Sequence, residues 1–63
     1  MALGTGNALR RLREDQGVSI RELERRTGIN RGRLSMIERG IEPTAEELRV
    51  VVEALRPKPE EAA

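Results

Sequence analysis

Arginine is the chemically assertive side chain that this sequence supplies in quantity. Nine arginines fall within residues 7–40, at positions 10, 11, 13, 21, 25, 26, 31, 33 and 39, against five acids at 14, 15, 22, 24 and 38, a surplus of four positive charges. Residues 41–63 hold three bases (Arg49, Arg56 and Lys58) against six acids, a deficit of three. The net charge of +1 therefore conceals two halves of opposite sign, one suited to face a polyanion and one acidic. A guanidinium offers a planar fork that matches phosphate oxygens or the O6/N7 edge of guanine, where an ammonium offers only a point charge. The competing account of the same pattern is a solvated, salt-bridged surface.

Other chemistries lack their residues. There is no histidine and no cysteine, which removes most metal sites, disulfides and nucleophilic or acid–base constellations. With 63 residues the chain makes one domain and is too small to enclose a substrate pocket, so it is not expected to be an enzyme or to hold a cofactor, a metal or a small-molecule substrate. There is no Phe, Tyr or Trp, which argues against stacking recognition of single strands or RNA loops. No stretch approaches the roughly 20 apolar residues of a membrane span. The first residues carry no apolar run of the secretory kind, so a cytoplasmic location is the expectation.

The arginines must be positioned by helices. Gly17, Gly28 and Gly40 each follow a polar, periodic segment and read as C-terminal stops, where glycine tolerates positive φ. Ser19 with Glu22 and Thr44 with Glu47 fit the capping-box pattern, and Asn30 is a good N-cap without the box. Val18 with Leu23, and Ile29 with Leu34, fit the hydrophobic staple. Together these signals predict four helices near residues 7–16, 20–27, 31–39 and 45–55. Their inward sets are Leu9, Leu12 and Val18; Ile20 and Leu23; Leu34, Ile37 and Ile41; and Leu48, Val51, Val52 and Leu55. Residues 1–6 read as a flexible N-terminal arm, residues 7–55 as the folded domain, and residues 56–63, with Pro57 and Pro59, as a disordered tail.

Only Gly28, Ile29 and Asn30 separate the second helix from the third. A three-residue turn with glycine forces two short helices to cross steeply, which is the helix-turn-helix unit. At about 100° per residue, a core direction set by Leu34, Ile37 and Ile41 turns Gly32, Met36 and Arg39 outward, puts Arg33 and Ser35 on the flanks and leaves Arg31 at the N-terminal tip. Glu38 falls toward the core, which requires a partner for its charge.

The run from Leu9 to Ser19 (LRRLREDQGVS), then Glu22–Leu23, Gly28, Leu34 and Ile37-Glu38-Arg39-Gly40, resembles the Cro/CI-type repressor domain, also called the xenobiotic-response-element family. The resemblance covers residues 8–55. It implies an all-α, compact four-helix domain of the lambda-repressor-like type that reads double-stranded DNA through the major groove with the helix at 31–39. It implies a structural ion pair between Arg13 and Glu38, which accounts for the inward carboxylate. It implies base contacts from Arg31, Gly32, Ser35 and Met36, and phosphate contacts from Ser19, Arg21, Asn30, Arg33 and Arg39, helped by free N–H groups at the starts of the second and third helices. Arg31 either forks onto guanine or clamps a phosphate; Met36 either meets a thymine methyl or is an ordinary surface methionine; Gly32 either admits a close backbone approach to DNA or makes room for Arg31 or Arg33. Arg10, Arg11, Arg25 and Arg26 read as solvated-face charges.

Two positions depart from the family pattern. Ile20 stands where glutamine usually opens the second helix, and Glu24 stands where alanine usually lets the two helices approach. Glu24 must therefore reach outward or pair with an arginine. The family's usual fifth helix has no counterpart, because the prolines follow Leu55 directly. The resulting expectation is a sequence-specific DNA-binding transcriptional repressor or regulator of the phage or prophage Cro-like kind, or the DNA-binding part of a longer repressor. A homodimer on an inverted-repeat operator is its expected form, with Val50 and the acidic end of the last helix as self-interface. The alternative is a protein-interaction module, an antitoxin or adaptor that uses the same fold to hold a protein partner.

Overall fold

The computed structural model describes residues 4–56. Four helices occupy them, α1 (Thr5–Asp15), α2 (Ile20–Thr27), α3 (Arg31–Glu38) and α4 (Ala45–Leu55), and no strand is present among the described residues. α1 packs on α3 and α4, and α2 packs on α3 and α4. The only helices that are both consecutive and packed together are α2 and α3. The fold is thus an all-α, closed four-helix ring, with the helix-turn-helix as its one local contact.

The helix boundaries follow from local chemistry. Ser19 Oγ accepts from Glu22 N at 3.0 Å and Asn30 Oδ1 from Gly32 N at 2.7 Å, while at Thr44 the box closes in both directions with Glu47. At Ser19 only half of the expected box forms, because the Glu22 carboxylate turns away to Arg25 and Arg26. The glycines after the first three helices all take positive φ, and Gly28 (φ 79°) closes α2 by donating to Glu24 O at 2.7 Å. α3 ends at Glu38, one residue before the expected end. α4 ends with Gln16 Nε2 donating to Leu55 O and Arg26 to Ala54 O, which satisfies carbonyls a helix terminus leaves open.

Leu9, Val18, Leu23, Leu34, Ile37, Val51 and Leu55 form the buried core, with Leu12, Ile20, Ile29, Leu48 and Ala54 packed around it. Two expected core residues are outside it. Ile41 is 48% exposed, because Gly40 (φ 125°) breaks the helix and helical spacing no longer applies beyond it. Val52 is 38% exposed, since it lies about 100° around α4 from the buried Val51.

α1 starts at Thr5, two residues earlier than expected, and takes the last two residues of the segment expected to be a flexible arm. The N-cap position is Gly4, which has no side chain to signal a helix start, and Gly6 within the first turn serves packing. Gly6 is buried, and a Cβ on it would stand 1.8 Å from Ile37 O, so only glycine lets α1 approach the backbone of α3 so closely. Arg56 ends α4; the remainder of the expected tail, 57–63, and residues 1–3 of the arm lie outside the described residues.

Candidate nucleic-acid interface

α3 is an eight-residue helix with a firm inner side and an open outer side. Leu34 and Ile37 are each 2% exposed, whereas Gly32, Met36 (44%) and the following Arg39 are exposed and Ser35 is half-buried. The turn that brings α3 across α2 is secured by Thr27, whose Oγ1 donates to Leu23 O at 2.8 Å and accepts from Ile29 N at 3.1 Å. This last bond is not foreshadowed by the cap pattern, because Thr27 carries no helix-start signal.

The inner end of α3 is clamped to α1. Arg13 Nε donates to Glu38 Oε2 at 2.8 Å and Nη2 to Oε1 at 3.0 Å, with Nη1 donating to Val18 O at 2.8 Å. The two side chains are only 13% and 9% exposed. The hydrogen bond to Glu38 raises the Arg13 pKa further, against the opposing effect of burial. A fork with both oxygens and all three nitrogens used is the geometry in which a nearly buried ion pair offsets its desolvation.

The outer end carries the candidate readers. Arg31 is exposed, yet it is not free: its main-chain N donates to Glu24 Oε2 at 3.3 Å, and its Nε lies 3.3 Å from Glu24 Oε1. Arg33 turns back onto α4, forking from Nε and Nη2 onto Glu47 at 2.8 Å each. Those hydrogen bonds, with the N–H of Thr44 as the next cause, lower the Glu47 pKa to about 2. The guanidinium expected at a phosphate is therefore committed within the protein, because Glu47 at the third position of α4 stands opposite it. The N–H groups expected to be free at helix starts are partly taken as well: Glu22 N by Ser19, Gly32 N by Asn30 and Arg31 N by Glu24. Ile20, Arg21 and Arg33 retain theirs among the described residues.

Of the other arginines, Arg10, Arg25 and Arg26 pair with acids on their own helix. Arg11, Arg21 and Arg39 are exposed and have no acidic partner among the described residues. Ser19 and Asn30 are exposed at the starts of α2 and α3. An open cleft of about 370 Å³ lies at the far end of α3, between the start of α1 and the α3–α4 loop, and its ionisable groups are Glu38, Arg39 and Glu42. Among the described residues no cluster of acids could hold a metal ion, and no helix is long and apolar enough to cross a membrane.

The sequence model of a family described as helix-turn-helix matches residues 9–61. No curated protein and no solved structure matches the chain.

Proposed function

This chain belongs to the helix-turn-helix family of the Cro/CI type, a family of DNA-binding regulators, and on that premise we propose that it reads one double-stranded DNA sequence as a Cro-like transcriptional repressor. The observation that carries the reading is α3 itself, buried on its inner side through Leu34 and Ile37, open on its outer side, and held at a fixed angle over α2 by a three-residue turn. A helix so presented fits the width of a major groove.

In this reading Arg31, Gly32, Ser35 and Met36 face base edges. Arg31 takes guanine O6/N7, Met36 takes a thymine methyl, and Gly32 lets the backbone come close. Arg21 and Arg39, with no acidic partner among the described residues, are the phosphate contacts that require no rearrangement, and Ser19 and Asn30 add polar contacts. Arg33 reaches phosphate only by leaving Glu47. Two copies on an inverted repeat would place two α3 helices about one helical turn apart.

Selection of random double-stranded DNA by the purified protein at moderate salt tests this. An enriched inverted repeat is the expected result; a single enriched half-site would retain sequence reading and remove the dimer. No enrichment would favour the protein-interaction reading, an antitoxin or adaptor module. The pairing of both Arg31 and Arg33 with acids favours that alternative, since it lowers the free positive charge of α3. Affinity for DNA that falls steeply with salt would count against it, because bound phosphate releases counterions.

A further inference from the structure

Glu24 holds both sides of the turn that presents α3. Its main-chain carbonyl accepts from Gly28 N at 2.7 Å, which closes α2. Its carboxylate reaches across the turn to the first residue of α3, accepting from Arg31 N at 3.3 Å through Oε2 and lying 3.3 Å from Arg31 Nε through Oε1. The carboxylate thus touches Arg31 at its backbone and at the inner edge of its guanidinium. The outer edge, formed by the two Nη atoms, donates to no acceptor among the described residues.

We propose that Glu24 is a positioning residue that sets the base preference of Arg31, by holding the Nε edge of its guanidinium so that the Nη edge faces the groove. The proposal rests on the DNA-reading function above. Recognition of guanine by arginine needs two N–H groups in a fixed fork. A free arginine side chain samples many rotamers, and fixing one in advance lowers the entropy lost on binding the matching base. The carboxylate also places a negative charge near the DNA backbone, which weakens binding to any sequence. Glu24 therefore trades general affinity for discrimination, and its removal has effects of opposite sign on the two.

The test compares wild type with Glu24→Ala, Glu24→Gln, Arg31→Ala and the double variant. The probes are the duplex enriched by wild type and the set of duplexes with each base pair changed in turn. Arg31→Ala identifies the base pair that Arg31 reads. At that pair Glu24→Ala should lower discrimination by about tenfold, within the range one forked contact supplies. Other positions should keep theirs, affinity for unrelated duplex should be equal or higher, and the melting temperature should hold. Glu24→Gln, whose single amide oxygen can replace only one of the two carboxylate oxygens while its NH2 faces the other N–H, should lose most of the discrimination that Glu24→Ala loses. In the Arg31→Ala background, Glu24→Ala should change nothing at that pair, since the two act as one unit. Unchanged discrimination in Glu24→Ala, a loss spread over all positions, or the same loss in both backgrounds would overturn the role of Glu24 alone. If wild type enriches no sequence, DNA reading fails and this role with it.

Discussion

Both ends of α3 are held by an arginine–glutamate pair, but the two pairs sit in different surroundings. At the inner end Arg13 and Glu38 are 13% and 9% exposed and bond through two guanidinium nitrogens and both carboxylate oxygens. At the outer end Arg31 and Glu24 are 51% and 36% exposed and touch at 3.3 Å. Water screens the outer pair and competes for its partners, so it contributes little to stability. The inner pair lacks that competition, so losing either member strands a charge in a nearly dry site. The same chemistry fastens the helix to the core at one end and, at the other, orients an exposed guanidinium at little cost or gain in stability.

The largest effect should come from breaking the inner pair. Glu38→Ala should cost about 2–4 kcal/mol, slightly under the range for a fully buried pair. In a domain of this size each kcal/mol moves the melting temperature by roughly 4–8 °C, so a thermal melt should show a fall of about 10 °C or more. Glu24→Ala should stay within about 1 kcal/mol of wild type. Equal losses from the two variants would erase the distinction drawn between the ends. Next in size is Gly6→Ala, which sharpens the picture of the inner end as a backbone contact. Its Cβ would stand 1.8 Å from Ile37 O, so α1 must shift, at a cost of about 1–3 kcal/mol in a urea titration. A wild-type midpoint would mean that α1 does not approach α3 so closely.

The outer end should respond in DNA binding and not in folding. Arg31→Ala should lose about 1–3 kcal/mol of discrimination at one base pair, with an unchanged melt. Arg39→Ala should weaken all duplexes alike and reduce the slope of log affinity against log salt by about one, as expected for a single phosphate contact. If Arg39→Ala instead changes preference at one base pair, it is a reader and the boundary between the two kinds of contact must move along α3.

The helices were legible because their punctuation is local. Ser19, Asn30 and Thr44 cap from within three residues, and the positive-φ glycines stop the first three helices within one or two. Leu23, Leu34, Ile37, Val51 and Leu55 follow from periodicity alone, because each lies within a regular helix. Ile41 could not, since the chain bends at Gly40 before reaching it. Gly6 was opaque for a different reason: the atom that forbids a side chain there belongs to Ile37, far along the sequence. The same holds for the partner of Arg33, which lies 14 residues on in α4, where Glu47 already had a sufficient explanation in the cap of Thr44. Glu24 was visible as an oddity, a carboxylate at the crossing of two helices, but which arginine it meets depends on the angle of the turn. Spacing shows that a charge needs a partner; only the packed helices decide which one.

The smallest effect concerns the third arginine–glutamate pair, which lies between the other two in exposure and joins α3 to α4. Arg33 and Glu47 are 32% and 20% exposed, and hydrogen bonds from Arg33 and Thr44 hold the Glu47 pKa at about 2 against an ordinary 4.5. Between those values the unfolded chain binds more protons at this site than the folded one, so stability rises with pH across the window. Read downward, the contribution is complete above about pH 5, declines from about pH 4.5 and is lost as the pH falls through about 2. Glu22, lowered by Arg25 and Arg26, adds a loss of the same sign. Melting temperatures taken from pH 6 to pH 2 should therefore fall in acid, and Glu47→Gln should melt lower than wild type at pH 6 while losing less on acidification. Because the pair is open to water, the difference should be well below that of Glu38→Ala. A Glu47→Gln profile parallel to wild type would show that Arg33 gains nothing from Glu47 in solution. Its guanidinium would then be free to turn from α4 toward a phosphate, and α3 would carry one more adjustable arginine than the folded pair implies.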